Sequence, residues 1–199
     1  MLDKAKQIVQ FMDTVEKLCY IKRFATLKDN NRERDSDHIM KLSFLVLLVA
    51  DFLSDRLNKT KLFELALVHD LAEADAGDVS YIEQFENNEA VEHKRVKELN
   101  VIKSYQKLLP SPLNDKIYEL FMEYETGCTI ESKIIHSLDK LEGDLQCCKD
   151  LNLSTYCNHN AFISRISALQ KHKYSTMTNE PIIEALERLI LEKSKDTSN

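Results

Sequence analysis

Residues 65–78 read Leu-Ala-Leu-Val-His-Asp-Leu-Ala-Glu-Ala-Asp-Ala-Gly-Asp. An apolar run delivers His69 and Asp70 side by side, followed by Glu73 and then Asp78. Polar side chains inside such a run need partners, because burying one unpaired costs on the order of several kcal/mol. A metal ion is one partner that could satisfy all four side chains.

The spacing within this segment predicts one helix. Thr60 is the expected N-cap, residues 61–76 form the expected helix body, and Gly77 ends it. His69 and Glu73 are four residues apart and therefore share one face. Asp70 lies about 100° round the helix from His69, so the two can hold one ion only at the edge of that face. Asp78 follows the helix end, from where it can turn back over the site.

Composition narrows the class of protein. The chain has 199 residues, 43% hydrophobic and 30% charged, which fits one soluble globular domain spanning residues 1–199. It holds only 3 Gly and 3 Pro, which disfavours a turn-rich β fold, and no P-loop or Rossmann glycine motif appears. With a net charge of −6 and no long basic block, we expect no nucleic-acid partner. The most apolar run, residues 42–53, is too short to span a membrane.

The cysteines and the first residues predict a cytoplasmic protein. Five cysteines occur, an odd number without a CxxC pair, and two of them, Cys147 and Cys148, are adjacent. This pattern is typical of reduced thiols rather than of a disulfide framework or a zinc cage. The N-terminal residues lead into an amphipathic segment and show no signal-peptide hydrophobic region.

Helical periodicity recurs along the chain and predicts an all-α, single-domain bundle with a metal site between helices. A charged surface segment, made of a solvated loop and a surface helix, is expected over residues 79–100, and a frayed tail over residues 194–199. The core that bears the motifs covers about residues 11–151, and helices within residues 152–193 are expected to pack on it. The predicted helical segments are residues 4–19, 36–53, 61–76, 101–109, 113–125, 129–150 and two stripes within 161–191.

Two of the candidate site residues also have plain structural interpretations. Arg23 either pairs with a nearby acid, Glu16 or Asp29, or presents its guanidinium to an anion. His38 lies in the first turn of an apolar helix capped by Ser36 or Asp37, where a lone histidine is more often structural than a ligand.

The segment around Asp139 leaves a similar choice. Asp139 follows the apolar Leu138 and is either a surface acid or a ligand on the buried side of its helix. Lys140 and Glu142 are expected to point to solvent. His93, in the charged surface segment, is expected to be exposed rather than bound to metal.

Together, His38, His69, Asp70 and Asp139 would make a mixed nitrogen and oxygen site. Such a set suits Mn²⁺, Co²⁺, Ni²⁺, Fe²⁺, Mg²⁺ or Zn²⁺ with open positions for water. Glu73 is placed to orient or deprotonate that water, and Arg23 offers a fork for phosphate oxygens. The reaction class that uses all of these groups is metal-assisted phosphoester hydrolysis.

The order His38, His69-Asp70, Asp139 resembles the H…HD…D signature of the HD-domain metal-dependent phosphohydrolases. Residues 69–78 resemble, more closely, the HDxxExxxGD motif of the 5′-deoxynucleotidases, and residues 21–24 resemble the segment that carries Arg-Trp in the bacterial enzyme. This resemblance implies an all-α bundle that hydrolyses (deoxy)nucleoside 5′-monophosphates. It also implies a homodimer.

Residue roles follow from the same resemblance. It implies that His38, His69, Asp70 and Asp139 bind the metal, and that Glu73 is the catalytic carboxylate beside Asp70. Arg23 would hold the 5′-phosphate, and Asp78 would meet the sugar 3′-hydroxyl. Phe24 stands where the bacterial enzyme has Trp, the residue that helps exclude the ribose 2′-hydroxyl.

Two other functions are compatible with the same residues. One is an HD phosphodiesterase or pyrophosphohydrolase acting on another nucleotide, such as (p)ppGpp or a cyclic nucleotide. The other is a helical binding module for nucleotide or metal without turnover, in which Glu73→Gln would be silent.

Overall fold

The computed structural model describes residues 1–79, 88–149 and 178–196, and most of them are helical. An antiparallel hairpin of strands β1 (Lys22–Thr26) and β2 (Arg32–Arg34) joins the first two helices. The all-α prediction is confirmed, and the hairpin is an addition to it. The helices are α1 (Leu2–Lys17), α2 (Asp35–Val49), α3 (Lys59–Val68), α4 (Glu73–Ala76), α5 (Asn88–Leu108), α6 (Leu113–Thr126), α7 (Ile130–Lys149) and α8 (Pro181–Asp196), with a 3-10 turn at Ala50–Phe52.

The core lies where α2, α3 and α7 pack against one another. Leu42 and Val46 of α2, Leu62 and Leu65 of α3, and Leu138 of α7 are fully buried there. Each such side chain stabilises the fold by roughly 1.5–3 kcal/mol through removal of apolar surface from water. These three helices therefore fix the positions of the candidate site residues that they carry.

The predicted helix over residues 61–76 is wrong in its continuity. Asn58, not Thr60, caps α3, since its side chain accepts a hydrogen bond from the Lys61 backbone N–H. The His69 ring nitrogen Nδ1 lies 2.9 Å from the Ala66 carbonyl oxygen, which the helix would otherwise use for its own ladder. The chain then turns through hydrogen bonds that join residues three apart instead of four. One of them runs from the Glu73 backbone N–H to the Asp70 carbonyl at 3.0 Å, just before α4.

The start of α2 also differs from the prediction. The helix begins at Asp35 with Arg34 as its N-cap, rather than with Ser36 or Asp37. Asp37 instead accepts hydrogen bonds from the Arg34 backbone N–H at 3.0 Å and from the Arg34 guanidinium at 2.9 Å. A carboxylate in the first turn also stabilises the positive end of the helix dipole.

The hairpin places Arg23 beside α2 and was not predicted. Its turn uses Asn30 in the left-handed region at φ 65°, and Asp29 accepts hydrogen bonds from Asn31. Asp-Asn-Asn between two short charged strands is a turn signal of the kind that ends strands. That signal was available in the sequence, although the strands themselves are too short to show a clear alternation.

Two further boundaries differ toward the end of the chain. The structure has one helix, α5, where a surface segment and a separate helix at residues 101–109 were predicted. The predicted frayed tail is helical as far as Asp196, and residues 197–199 lie outside the described residues. Much of the predicted helical stripe from residue 161 onward, like Cys157, also lies outside them.

The remaining composition-based expectations can be checked on the described residues. None of the four cysteines there forms a disulfide. His93 is exposed, as predicted. Across the same three ranges, no helix has both the length and the apolar character that a bilayer crossing requires.

Leu42→Ala should lower the free energy of unfolding by about 2–5 kcal/mol, because it opens a cavity at the centre of the core. Leu108→Ala is the matched control, since the Leu108 side chain is 49% exposed at the end of α5. Urea unfolding measures both. A Leu42→Ala effect no larger than the control effect would contradict the assignment of the core.

Candidate metal centre and active site

The four predicted ligand residues come from three separate elements. His38 lies in the first turn of α2, His69 and Asp70 lie in the turn between α3 and α4, and Asp139 lies midway along α7. His38 Nε2 is 3.3 Å from His69 Nε2 and 3.1 Å from Asp139 Oδ1. Asp70 Oδ2 is 3.1 Å from His69 Nε2 and 3.8 Å from His38 Nε2. The structure thus brings all four side chains together.

Burial decides between the alternatives that the sequence left open. His38 is fully buried and Asp139 is 5% exposed, so the surface-acid interpretation of Asp139 is wrong. His38 is not a lone core histidine either, because its ring nitrogen faces three other potential ligands.

Both histidine rings are oriented by their outer nitrogens. His38 Nδ1 lies 2.6 Å from Glu142 Oε2, and a carboxylate only accepts, so Nδ1–H is the donor. His69 Nδ1–H donates in the same way to the Ala66 carbonyl. Two neutral rings would then aim their Nε2 lone pairs at each other across 3.3 Å. Such an arrangement needs a cation or a proton between the nitrogens, and a divalent ion fits it.

Glu142 and Tyr124 support this centre and were missed by the sequence analysis. Glu142 was predicted to point to solvent, but it is buried beside His38. It lies three residues after Asp139 on the same helix face, which was an available signal. The Tyr124 hydroxyl donates to Asp139 Oδ2 at 2.9 Å, and the tyrosine ring packs edge-on against the His69 ring.

The buried charges shift one another's pKa values. Burial and the Arg23 charge lower the pKa of His38, but hydrogen bonds to Asp139 and Glu142 outweigh them and raise it to about 9. Burial opposes ionisation of Asp139, yet the Lys140 ammonium and His38 hold the pKa of Asp139 well below its usual range. Without metal, the centre therefore holds a protonated imidazole among carboxylates.

Arg23 extends from β1 into the edge of this centre. Its Nη1 lies 2.9 Å from Asp70 Oδ2 and 3.4 Å from Asp35 Oδ1, and its Nε lies 3.6 Å from Glu33 Oε2. The predicted alternatives, pairing with Glu16 or with Asp29, are both wrong. A guanidinium held this firmly beside a metal centre can receive an anionic oxygen without reorganising.

Glu73 is buried at the start of α4, on the Arg23 side of the centre. Its Oε1 accepts a hydrogen bond from Lys94 Nζ at 2.7 Å, and its Oε2 lies 4.0 Å from Arg23 Nη1. Glu73 Oε2 has no hydrogen-bond partner among the described residues. Burial and the neighbouring Asp70 raise the pKa of Glu73 well above its ordinary value, although Lys94 opposes them. Lys94 was not singled out from the sequence.

Asp35 is a further buried acid that the sequence did not indicate. One of its carboxylate oxygens, Oδ2, also lacks a hydrogen-bond partner in the described ranges. Burial and Asp70 raise the pKa of Asp35 to about 7, against the effect of Arg23. Asp35, Asp70 and Glu73 each offer an oxygen within 4.8 Å of the others.

The two remaining predicted substrate residues are Asp78 and Phe24. Asp78 follows Gly77, whose φ of 78° turns the chain at the end of α4, and Asp78 is half-buried. Burial raises the pKa of Asp78 while Arg23 lowers it, which places this carboxyl in the same electrostatic environment. Phe24 is half-buried on β1, with the Arg32 guanidinium 5.7 Å above its ring.

Comparison with known proteins identifies the family of this chain. A sequence model of the HD domain matches residues 15–181, which is most of the chain. The chain belongs to the HD-domain family. HD-domain relatives include human "5'-deoxynucleotidase HDDC2", 35% identical over 144 residues that cover 71% of this chain and 67% of the relative. Another is "5'-deoxynucleotidase hdd1" of Schizosaccharomyces pombe, 31% identical over 70% of each chain.

Solved structures show the same HD-domain fold. A crystal structure described as a "predicted metal-dependent phosphohydrolase" from Magnetospirillum magnetotacticum superposes with a TM-score of 0.77 at 19% identity, covering 98% of this chain and 97% of that one. The PH0347 protein of Pyrococcus horikoshii gives a TM-score of 0.64 at 25% identity, over 95% and 99% of the two chains.

Binding of Mn²⁺ near neutral pH should release about one proton, because a ligand must lose its proton before it can bind metal. His38 supplies that proton, since its pKa in the metal-free protein is raised to about 9. The release should vanish, and affinity should level off, as the pH rises past that value. Calorimetry in two buffers of different ionisation enthalpy counts the protons.

Glu142→Gln should reduce both the proton release and the Mn²⁺ affinity, the latter by about 10–100-fold. Glu131→Gln on the same helix is the control, since Glu131 accepts from the Asn58 backbone instead. Proton release unchanged by Glu142→Gln would contradict the role assigned to the His38–Glu142 hydrogen bond.

Proposed function

We propose that this protein is a divalent-metal-dependent phosphomonoesterase that releases phosphate from (deoxy)nucleoside 5′-monophosphates. The observation that carries the proposal is the convergence of His38, His69, Asp70 and Asp139 beside the guanidinium of Arg23. Membership of the HD-domain family and relatives named 5'-deoxynucleotidase support the same substrate class. No observation favours the diphosphate, cyclic-nucleotide or binding-module alternatives.

In this proposal, His38, His69, Asp70 and Asp139 hold one divalent ion. The mixture of two imidazoles and two carboxylates suits several first-row metals and Mg²⁺, so the donor set fits the group without selecting one metal. A divalent ion bound there would lower the pKa of water and polarise a phosphoryl oxygen. Burial by α2, α3 and α7 strengthens these electrostatic effects.

The surrounding side chains account for the rest of the chemistry. Arg23 binds the 5′-phosphate, because its guanidinium lies at the edge of the centre and is only 21% exposed. Glu73 accepts a proton from the attacking water through Oε2, the oxygen that no described residue occupies. Burial and the neighbouring Asp70 raise the pKa of Glu73, so its ionised carboxylate is a stronger proton acceptor than an exposed one.

Sugar recognition is assigned to the residues that flank these groups. We place Asp78 at the 3′-hydroxyl, where its carboxylate accepts a hydrogen bond from the hydroxyl group. Phe24, in the position of the bacterial Trp, would limit room for a 2′-hydroxyl, and this predicts a preference for deoxyribonucleotides.

The proposal is tested by phosphate release from paired substrates, dAMP with AMP and dCMP with CMP. The chelated protein should be inactive, and Mn²⁺, Co²⁺ or Mg²⁺ should restore release, with the deoxynucleotides preferred. Glu73→Gln should lower kcat by about 10²–10⁴-fold. Glu64→Gln is the matched control, because Glu64 pairs with Lys116 on the surface of α3.

Three outcomes would contradict the proposed function or one of the residue roles assigned to it. Equal release from both sugars would refute the role of Phe24 but not the metal chemistry. Full activity of Glu73→Gln would refute its acid–base role. Absence of release with every metal would overturn the proposed function.

We also propose that the protein forms a homodimer through an apolar surface on α1, α2 and α3. Met40, Phe44 and Leu47 of α2, Met12 of α1 and Leu67 of α3 are each more than half exposed. All of them except Met12 line a groove of about 630 Å³ whose lining is mostly apolar. Contiguous apolar surface of this kind marks an interaction site more often than it remains in water.

Leu47→Glu should convert the dimer to a monomer, because it places a charge in the centre of the buried surface. Leu189→Glu is the control, since Leu189 is equally exposed but lies on α8. Light scattering after gel filtration gives the mass. A monomeric wild type, or a dimeric Leu47→Glu, would contradict this interface.

The rest of the proposal concerns organisation and location. One apolar cluster links residues from α1 through α8, which supports a single domain over the chain. The absence of disulfides among the described cysteines supports a reducing, cytoplasmic location.

A further inference from the structure

Lys94 connects the catalytic region to a helix that contributes none of the predicted ligands. It lies in the second turn of α5, and its side chain is 19% exposed. Its Nζ is 2.7 Å from Glu73 Oε1 and 2.7 Å from Glu98 Oε1, one helical turn further along α5. The two buried carboxylates therefore fix the position of the Lys94 ammonium group.

The charge of Lys94 matters most to Glu73. A buried carboxylate near other acids is costly unless a cation donates to it. Arg23 Nη1, at 4.0 Å from Glu73 Oε2, is too distant for a hydrogen bond. Among the described residues, Lys94 is the cation that donates to Glu73.

The contact also fixes which way the Glu73 carboxylate faces. Lys94 occupies Oε1, and Oε2 is the oxygen that lies 4.0 Å from Arg23 Nη1. Glu98 is 5% exposed, and its carboxylate forms the second ion pair that holds the Lys94 ammonium in place. The Glu98–Lys94–Glu73 chain therefore has little freedom to rotate.

We propose that Lys94 is a positioning residue, which holds Glu73 so that Oε2 points at the phosphate site. This inference rests on the proposed function, because it assigns Lys94 a role only through Glu73. A purely structural ion pair would instead affect folding and leave turnover per folded molecule unchanged.

The test compares Lys94→Met with Lys94→Arg. Lys94→Met keeps the length of the side chain and removes the charge, so it should lower kcat by about 10–100-fold, the cost of a misplaced catalytic group. KM and Mn²⁺ affinity by calorimetry should stay within about twofold, the usual scatter between independent sites. Lys94→Arg should recover most of the lost kcat, since a guanidinium can also donate to Glu73.

The matched control is Lys97→Met, which removes a cation from the same face of α5 that contacts a carbonyl rather than Glu73. Its kcat should stay within about twofold of wild type. Thermal unfolding of each variant shows what fraction of the protein is folded, so rates are compared per folded molecule.

A double-mutant cycle decides whether Lys94 acts through Glu73. On a Glu73→Gln background, Lys94→Met should lower kcat by less than about twofold further. Full additivity of the two losses would overturn the inference, as would a Lys94→Met that matches Lys97→Met while Glu73→Gln is impaired. A silent Glu73→Gln would remove the acid–base role on which the inference rests. Absence of phosphate release from the wild type with every metal would instead overturn the proposed function, which keeps the two failures distinguishable.

Discussion

The arrangement of the site depends on two imidazole nitrogens, His38 Nε2 and His69 Nε2, whose lone pairs point at the same position. His38 and His69 commit their Nδ1 protons to Glu142 and to the Ala66 carbonyl, and their Nε2 atoms then lie 3.3 Å apart. Two acceptors at this distance repel unless a proton or a metal ion lies between them. With Asp70 and Asp139 beside them, a divalent ion satisfies all four groups at once, whereas a proton satisfies only some of them.

Three features of the fold bring the side chains of the site to this position. The interruption of the helix at His69 lets His69 and Asp70 converge, although adjacent residues on a regular helix diverge by about 100°. The apolar contacts of α2, α3 and α7 bring His38 and Asp139 to the same place. The hairpin then carries Arg23 to the open edge, where an anionic substrate can approach.

The sequence indicated which polar side chains converge, because several of them stand within strong apolar patterns. His69, Asp70 and Glu73 interrupt an apolar run, and their spacing alone indicated a shared site. The all-α fold followed from helical periodicity and the scarcity of glycine and proline. His38 and Asp139 had plain structural alternatives, and only the comparison of distant segments with a known motif connected them.

The residues that the sequence did not indicate act through long-range contacts. Glu142 reaches His38 across 104 residues and Lys94 reaches Glu73 across 21, and no local pattern encodes such pairs. The helix break had a local cause, the His69 ring bonding the Ala66 carbonyl, but periodicity treats every apolar position alike and therefore favours a continuous helix. The structural alternative for Arg23 named acids near it in sequence. Its observed partners Glu33, Asp35 and Asp70 are instead brought to it by the hairpin and by the packing of distant segments.

The most direct test of the central claim is a crystal structure of the Mn²⁺-loaded protein with anomalous diffraction data. We expect one strong anomalous peak between His38 Nε2 and His69 Nε2, with carboxylate oxygens of Asp70 and Asp139 completing the set at about 2.0–2.3 Å, typical of such ligands. A peak held instead by Asp35, Asp70 and Glu73 alone, or no peak between the two imidazoles, would contradict it.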